Sequence, residues 1–316
     1  MTSTSSRPDI LIAASLLPHL MQRLQDNFIC HDLNALSEEA LTAIAPSIRG
    51  IASKGETKVT RDFIARFPAL EIISVFGVGY DGVDAVAARE RGIEVTNTPD
   101  VLTDDVADFA MTLLLATARQ IAHADRFARS GAWTKGPHAL TAKVTGARLG
   151  IVGLGRIGKA IARRAAAFDM DIAYHNRSPQ SDVGYRYVAN LKTLASEVDF
   201  LVLSMPGGAG TRALINAEVL DALGPKGFLI NVARGSVVDQ DALIKALQEG
   251  RIAGAGLDVF ANEPNIPESL TKLDNVTLTP HMASGTVVTR TAMADLAFDN
   301  LQAHFSGKPV LTPVPR

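Results

Sequence analysis

The chain predicts an α/β fold with two parallel-sheet domains separated by a cleft, and three observations carry that expectation. Apolar runs of strand length alternate with helix-period segments almost from end to end, the pattern of a parallel sheet with helices on both faces. The alternation comes as two series separated by a long helical stretch. At 316 residues the chain also exceeds an ordinary single domain and suits two.

In the first series, strand-like runs lie at residues 10–14, 50–53, 70–76 and 92–96, with amphipathic stretches at 60–67 and 83–91. Residues 104–128, rich in Ala, Leu and Thr with apolar spacing of three and four, predict one long, largely buried helix. Residues 130–146 carry Gly131, Trp133, Gly136, Pro137 and Gly146 and read as a loop-rich excursion. The second series has runs at 148–152, 171–174, 200–203, 228–231, 254–258 and 276–278. A last helical pattern at 291–304 follows a complete second unit, so it is expected to return to the first. The expected domains are therefore residues 1–98 with 284–316, and residues 99–283 with an arm at about 104–146.

Composition narrows the function. Hydrophobic residues make up 47% and charged residues 20%, with a formal net charge of −2. Without a basic excess, neither a nucleic-acid nor a membrane surface is expected. The first eight residues read as a polar tail with no apolar signal region, and residues 10–14 are too short to span a bilayer. A cytoplasmic location is the default expectation. The single cysteine, Cys30, rules out an intramolecular disulfide framework and reads as a small apolar side chain. The histidines show no paired spacing with carboxylates, so no metal is expected.

Gly153-Leu154-Gly155-Arg156-Ile157-Gly158 follows a strand-like run and opens a helical pattern at 156–168. The first glycine permits the tight turn, the second lets backbone approach a pyrophosphate, and the third lets helix and strand pack closely. A helix N-terminus offers N–H groups and a positive dipole end to those phosphates. This context marks a Rossmann-like dinucleotide site. An acidic residue about 20 positions past the first glycine would bind the ribose hydroxyls of NAD. Here the second run ends in His175-Asn176-Arg177-Ser178, with no carboxylate until Asp182. A guanidinium and a hydroxyl can hold a 2′-phosphate, so NADP (as NADPH) is expected over NAD.

Three further segments place one ionisable residue each just past a strand: Arg234 in Asn231–Ser236, Glu263 in Gly256–Pro264, and His281 in Thr279–Gly285. Singly, each has an ordinary reading as a surface ion pair, a solvated loop carboxylate or a satisfied imidazole. In order beside a dinucleotide motif, they point to hydride transfer with proton exchange.

At these motifs, and at Phe76-Gly77-Val78-Gly79-Tyr80-Asp81 and Gly92–Pro99, the chain resembles the D-isomer-specific 2-hydroxyacid dehydrogenases, and within them the glyoxylate/hydroxypyruvate reductases. The resemblance implies a flavodoxin-like substrate domain and a Rossmann domain. It implies that Arg234 binds the substrate carboxylate and polarises its carbonyl, with His281 as proton donor and Glu263 as its partner. Ser53, Val78 and Gly79 join Arg234 and His281 as implied substrate contacts. The implied cofactor contacts are Gly153, Leu154, Gly155, Arg156 and Ile157 in the glycine loop and Asn176, Arg177 and Ser178 after the next strand. Met205, Pro206, Val232, Ala233, Arg234, Asp258, His281 and Ser284 complete them, Asp258 toward the nicotinamide carboxamide.

The chemistry explains these residue types. When hydride reaches a carbonyl carbon, a fixed cation beside the oxygen stabilises the charge that develops there. An imidazolium then supplies the proton, and an adjacent carboxylate favours that acid form. Trp133 has two readings: a core or surface-patch side chain, or, as the resemblance implies, part of a homodimer arm reaching the partner subunit's site. Bulkier 2-oxo acids such as aryl pyruvates stay open as substrates. A dinucleotide-sensing corepressor on the same fold is the alternative outside enzymes.

Overall fold

The computed structural model describes residues 7–315, so most of the polar N-terminal tail lies outside the described residues. The chain forms two compact units, residues 1–102 with 286–316 and residues 103–285.

The first unit begins β1 (Asp9–Ile12), α1 (Pro18–Asn27), β2 (Ile29–Asp32), α2 (Glu38–Ile44) and β3 (Ile48–Lys54). It continues with α3 (Arg61–Ala65), β4 (Ile72–Phe76), α4 (Ala85–Glu90) and β5 (Glu94–Thr96). The all-parallel sheet runs β2-β1-β3-β4-β5, the flavodoxin-like order. β4 is buried along its whole length, as a strand covered on both faces must be. β2 was not expected: it is a half-exposed edge strand whose Ile-Cys-His-Asp sequence has no apolar run. Cys30 sits on it, and burial pushes its thiol up to about 11.

The second unit opens with α5 (Thr103–Ala118) and α6 (Ile121–Arg129), then β6 (Arg148–Val152), α7 (Arg156–Ala166), β7 (Asp171–His175) and β8 (Arg186–Tyr187). It continues with α8 (Leu191–Glu197), β9 (Phe200–Leu203), α9 (Ala217–Leu223), β10 (Phe228–Asn231) and α10 (Gln240–Gln248). β11 (Gly254–Leu257), α11 (Glu268–Thr271) and β12 (Val276–Leu278) complete it. Its seven strands run β12-β11-β10-β9-β6-β7-β8, all parallel. The order reverses between β6 and β9, the place where doubly wound sheets bind ligands.

The single helix expected over 104–128 is two. α5 is mostly buried and crosses β11 where Gly256 has no side chain: a Cβ there would fall 2.6 Å from Thr117 Oγ1. At Gln120 the backbone turns left-handed, with φ of 50°, and α6 carries no buried residue. The apolar spacing hid this break because α6 keeps an apolar face of its own.

The last helix, α12 (Val287–Phe305), starts earlier than its apolar pattern and belongs to the first unit. Ser74 Oγ of β4 donates to the Ala297 carbonyl at 2.8 Å. Phe28 meets Phe298 and Phe305 with ring centroids 5.9 and 5.7 Å apart, and Arg23 pairs with Asp295 and Asp299.

Candidate active site

β6 ends in the glycine loop, and each glycine there has a separate structural reason. Gly153 is left-handed (φ 97°), and a Cβ on it would lie 2.6 Å from Met205 N, at the end of β9. Ser204 Oγ donates to the Gly153 carbonyl at 2.8 Å, so the loop is pinned across the switch point. A Cβ on Gly158 would collide with the Gly153 carbonyl oxygen, whereas one on Gly155 meets nothing within 4 Å. That open space stands at the N-terminus of α7, where Gly155 supplies no side-chain cap. A dinucleotide pyrophosphate fits this cradle: backbone can approach it, and the helix end favours its charge.

The turn after β7 is tied to the same loop. Asn176 Oδ1 accepts the Leu154 N–H at 2.7 Å, so this amide oxygen holds the scaffold. Arg177 and Ser178 are exposed beside it. Asp182, the first carboxylate beyond the strand, is paired with Lys159 at 2.6 Å.

Arg234, Glu263 and His281 follow β10, β11 and β12, three neighbouring strands, and the structure brings them together. Asn231, buried at the end of β10, builds the Arg234 turn: its Oδ1 accepts the Ala233 N–H at 3.0 Å and its Nδ2 donates to the Arg234 carbonyl at 2.9 Å. Gly235 then lies directly on the Phe260 and Ala261 backbone, where any Cβ would collide. This close approach joins the Arg234 loop to the loop of Glu263. Glu263 accepts the Phe260 N–H through Oε1 at 2.9 Å and pairs with His281 Nδ1 through Oε2 at 2.7 Å.

His281 itself is left-handed, with φ of 51°, a conformation that costs a non-glycine residue energy and is found where function or packing imposes it. The imposing group is Asp258. Its Oδ1 accepts the Thr279 hydroxyl at 2.7 Å and the Met282 N–H at 2.8 Å, and its Oδ2 accepts the Ala283 N–H at 2.9 Å. Its backbone carbonyl accepts the His281 N–H at 2.8 Å, and its own N–H reaches the Asn231 carbonyl. Asp258 is 1% exposed and both its oxygens brace the His281 turn. A helix or turn cap is the ordinary sequence reading of this carboxylate, and its bonds to the Thr279, Met282 and Ala283 donors are of that kind.

Electrostatics follow the geometry. Burial alone would raise the Glu263 carboxyl. The hydrogen bond and charge of His281, the Phe260 N–H and the Arg234 guanidinium outweigh it and hold the group below the usual carboxylate range. At Asp258 burial wins over the Met282, Thr279 and Ala283 donors and the His281 charge, and the carboxyl is raised. With Nδ1 on Glu263, Nε2 is the ring nitrogen able to exchange a proton with a substrate. Val232 and Ser284 are half-buried, Ala233 is buried in the Arg234 turn, Met205 is buried under the glycine loop and Pro206 is exposed next to it.

In the first unit, Val78 and Gly79 follow β4. Thr98 N–H donates to the Gly77 carbonyl at 2.8 Å, and Asn97 Nδ2 donates to the Val78 carbonyl at 2.8 Å. In a planar trans peptide the N–H opposes the C=O, so the Val78 and Gly79 N–H groups point away from those anchors, as an anion site needs. Ser53 departs from expectation: it is fully buried in β3, its Oγ has no hydrogen-bond partner, and it faces Leu20 and Phe76 inside the unit. It offers no side chain to a substrate. Among the described residues no cluster of three or more His, Cys, Asp or Glu could hold a metal, and no helix is long and apolar enough to cross a membrane.

Strand order, glycine cradle and the joined Arg, Glu and His loops define an oxidoreductase that uses a nicotinamide dinucleotide, whose bound form supplies or takes the hydride. The chain belongs to the D-isomer-specific 2-hydroxyacid dehydrogenase family, whose NAD-binding-domain model matches residues 111–283. It is 52% identical over 268 residues to a glyoxylate/hydroxypyruvate reductase A of Arabidopsis thaliana, covering 85% of this chain and 86% of that one. It is 48% identical over 307 residues to a hydroxyphenylpyruvate reductase of Plectranthus scutellarioides, covering 96% and 98%. It is also similar to the structure of the NADPH-dependent glyoxylate/hydroxypyruvate reductase of Sinorhizobium meliloti with NADP and malonate. There the TM-score is 0.91 at 48% identity, covering 98% of this chain and 97% of that one. The chain is thus a 2-oxo acid reductase of this family.

Proposed function

We propose that the chain reduces small 2-oxo acids, glyoxylate and hydroxypyruvate foremost, to D-2-hydroxy acids with NADPH, as a homodimer. Arg234 binds the substrate carboxylate, and the Val78 and Gly79 N–H groups are the anion-binding groups of the first unit. Arg234 stabilises the charge developing on the carbonyl oxygen, and His281 Nε2 gives it a proton while Glu263 steadies the imidazolium. Asp258 and Asn231 position the loops of His281 and Arg234. The NADPH preference rests on one observation: the β7 turn offers exposed Arg177 and Ser178, and its nearest carboxylate is paired with Lys159. Support comes from the Sinorhizobium meliloti enzyme, which is named NADPH-dependent.

The Plectranthus scutellarioides relative, named for hydroxyphenylpyruvate, favours a second reading in which the preferred 2-oxo acid carries an aromatic group. Oxidation rates of NADPH and NADH against glyoxylate, hydroxypyruvate, pyruvate and phenylpyruvate test both. On the first reading NADPH has the higher kcat/KM by about tenfold or more, the worth of one charge-assisted bond, and Arg177→Asp moves the preference toward NADH. Equal or better kcat/KM with NADH removes the cofactor assignment, and a phenylpyruvate optimum replaces the substrate assignment.

A further inference from the structure

The turn from Asn176 to Gln180 carries the two residues that would read a 2′-phosphate, and its Asn176 side chain ties it to the glycine loop. Two tyrosines on the strands beneath it hold its two ends. Tyr187 on β8 donates its hydroxyl hydrogen to the Asn176 carbonyl at 3.2 Å. Tyr174 on β7 accepts the Gln180 N–H on its hydroxyl oxygen at 2.7 Å, with a longer 3.4 Å contact to the Gln180 carbonyl. Tyr174 and Tyr187 are register partners across the two strands. Their rings lie 5.5 Å apart, inclined by 52°. Tyr174 is 1% exposed, so its hydroxyl is a buried polar group that must find a partner. The partner it has is this turn.

β8 is only two residues long, at the edge of the sheet. So short a strand adds little ladder, but it sets Tyr187 opposite Tyr174 and under the first residue of the turn. On its inner side the turn is tied to the glycine loop by Asn176 Oδ1 and Leu154 N–H. Three anchors therefore bracket Arg177, Ser178 and Pro179, and fix them relative to the pyrophosphate cradle. A loop held in its binding geometry loses less freedom when it binds, and that gain falls on the group the loop reads.

We propose that Tyr174 and Tyr187 are specificity-positioning residues, which hold the Asn176–Gln180 turn so that Arg177 and Ser178 discriminate a 2′-phosphorylated dinucleotide from its unphosphorylated counterpart. The proposal rests on the NADPH reading above. The tyrosines touch neither substrate nor reacting atoms. They act through the turn, so their removal lowers selectivity and leaves the glycine cradle as it is.

The test is binding of adenosine 2′,5′-bisphosphate and adenosine 5′-monophosphate by calorimetry to the full chain and to Tyr174→Phe, Tyr187→Phe and the double variant. Phenylalanine keeps the ring packing and deletes only the hydroxyl. Melting curves report whether buried Tyr174→Phe remains folded, and Tyr187→Phe, on the partly buried edge strand, carries the test if it does not. Each variant is expected to lose roughly three- to tenfold in bisphosphate affinity, the value of one hydrogen bond, while monophosphate affinity stays within about twofold. The double variant loses more. The NADPH-to-NADH ratio of kcat/KM falls in step. If the wild type binds both nucleotides equally, the NADPH reading fails and takes this proposal with it. If the wild type discriminates and the variants discriminate as well, or lose both nucleotides by the same factor, the positioning role of the tyrosines is overturned while the NADPH reading stands.

Discussion

At the scale of single residues, the His281–Glu263 pair makes the firmest predictions. His281→Ala is expected to lower reduction by ~10²- to 10⁴-fold, the usual value of general acid catalysis. The loss falls on turnover, because proton donation belongs to the transition state. A folded His281→Ala enzyme with wild-type turnover would end the assignment. Glu263→Gln tests the carboxylate by pH. Reduction needs the imidazolium, which the carboxylate favours, so the pH above which the rate declines moves down in the variant. Stability has the opposite limb. The Glu263 carboxyl is held low in the folded chain, so its contribution is present above its unfolded pKa, about 4.3, and is lost as pH falls through the lower folded value. The variant lacks that acid-side loss in a pH series of thermal melts. Arg234, Glu263 and His281 were legible as a group because each stands just past one of three successive strands beside a dinucleotide motif. Asn231, Asn97 and Thr98 were not assigned bracing roles, because they act by hydrogen bonds to backbone, whose direction a sequence does not display. Ser53 misled for a related reason: a residue ending a strand can face either way.

At the scale of elements, the glycine loop separates two functions that the motif merges. Gly158→Ala drives a Cβ into the Gly153 carbonyl oxygen, backbone that cannot yield, and is expected to cost about 1–3 kcal/mol as overpacking does and to lower the melting temperature. Gly155→Ala meets nothing within 4 Å, so it is expected to melt like wild type while dinucleotide affinity falls, its methyl standing where a phosphate passes. Titration of both variants with NADPH, beside thermal melts, checks the contrast; equal melting losses would refute it. The strands of the second unit were read to within a residue and those of the first to within two, since a strand covered on both faces must be a continuous apolar run. The edge strands β2 and β8 were missed, being half polar or very short. The break at Gln120 was missed because one left-handed residue leaves no trace in apolar spacing.

For the whole molecule, the arm after α5 is the prominent surface feature. Ile121, Trp133 and Leu140 are 56%, 72% and 100% exposed, and α6 buries nothing. These exposed side chains support the homodimer proposed above. Sedimentation is expected to show a dimer at micromolar concentration. Trp133→Ala changes substrate KM if the ring reaches the partner's site, and leaves KM alone if the ring only seals the interface. A monomer across that range would remove the assembly. The excursion's glycines and proline marked where this surface lies, and Trp133 was read as a core, surface-patch or dimer-arm side chain, whereas Ile121 and Leu140 drew no such reading.

The return of α12 to the first unit bears on how the chain is made. Synthesis delivers the amino end first, and domains commonly fold in that order. Here the sheet of residues 1–102 emerges without the helix that covers β4 and receives Phe28, and it must wait until Phe305 has left the ribosome. The second unit, residues 103–285, is contiguous and is complete 20 residues before Phe305. The inserted half is therefore expected to fold first, and the half that begins the chain last. Until then its Leu24, Phe28 and Ile72 are expected to stay uncovered and open to aggregation. A chain stopped at residue 285 tests the order: brief proteolysis should leave a fragment near 103–285 and degrade 1–102, and a resistant amino-terminal fragment would reverse the sequence of events.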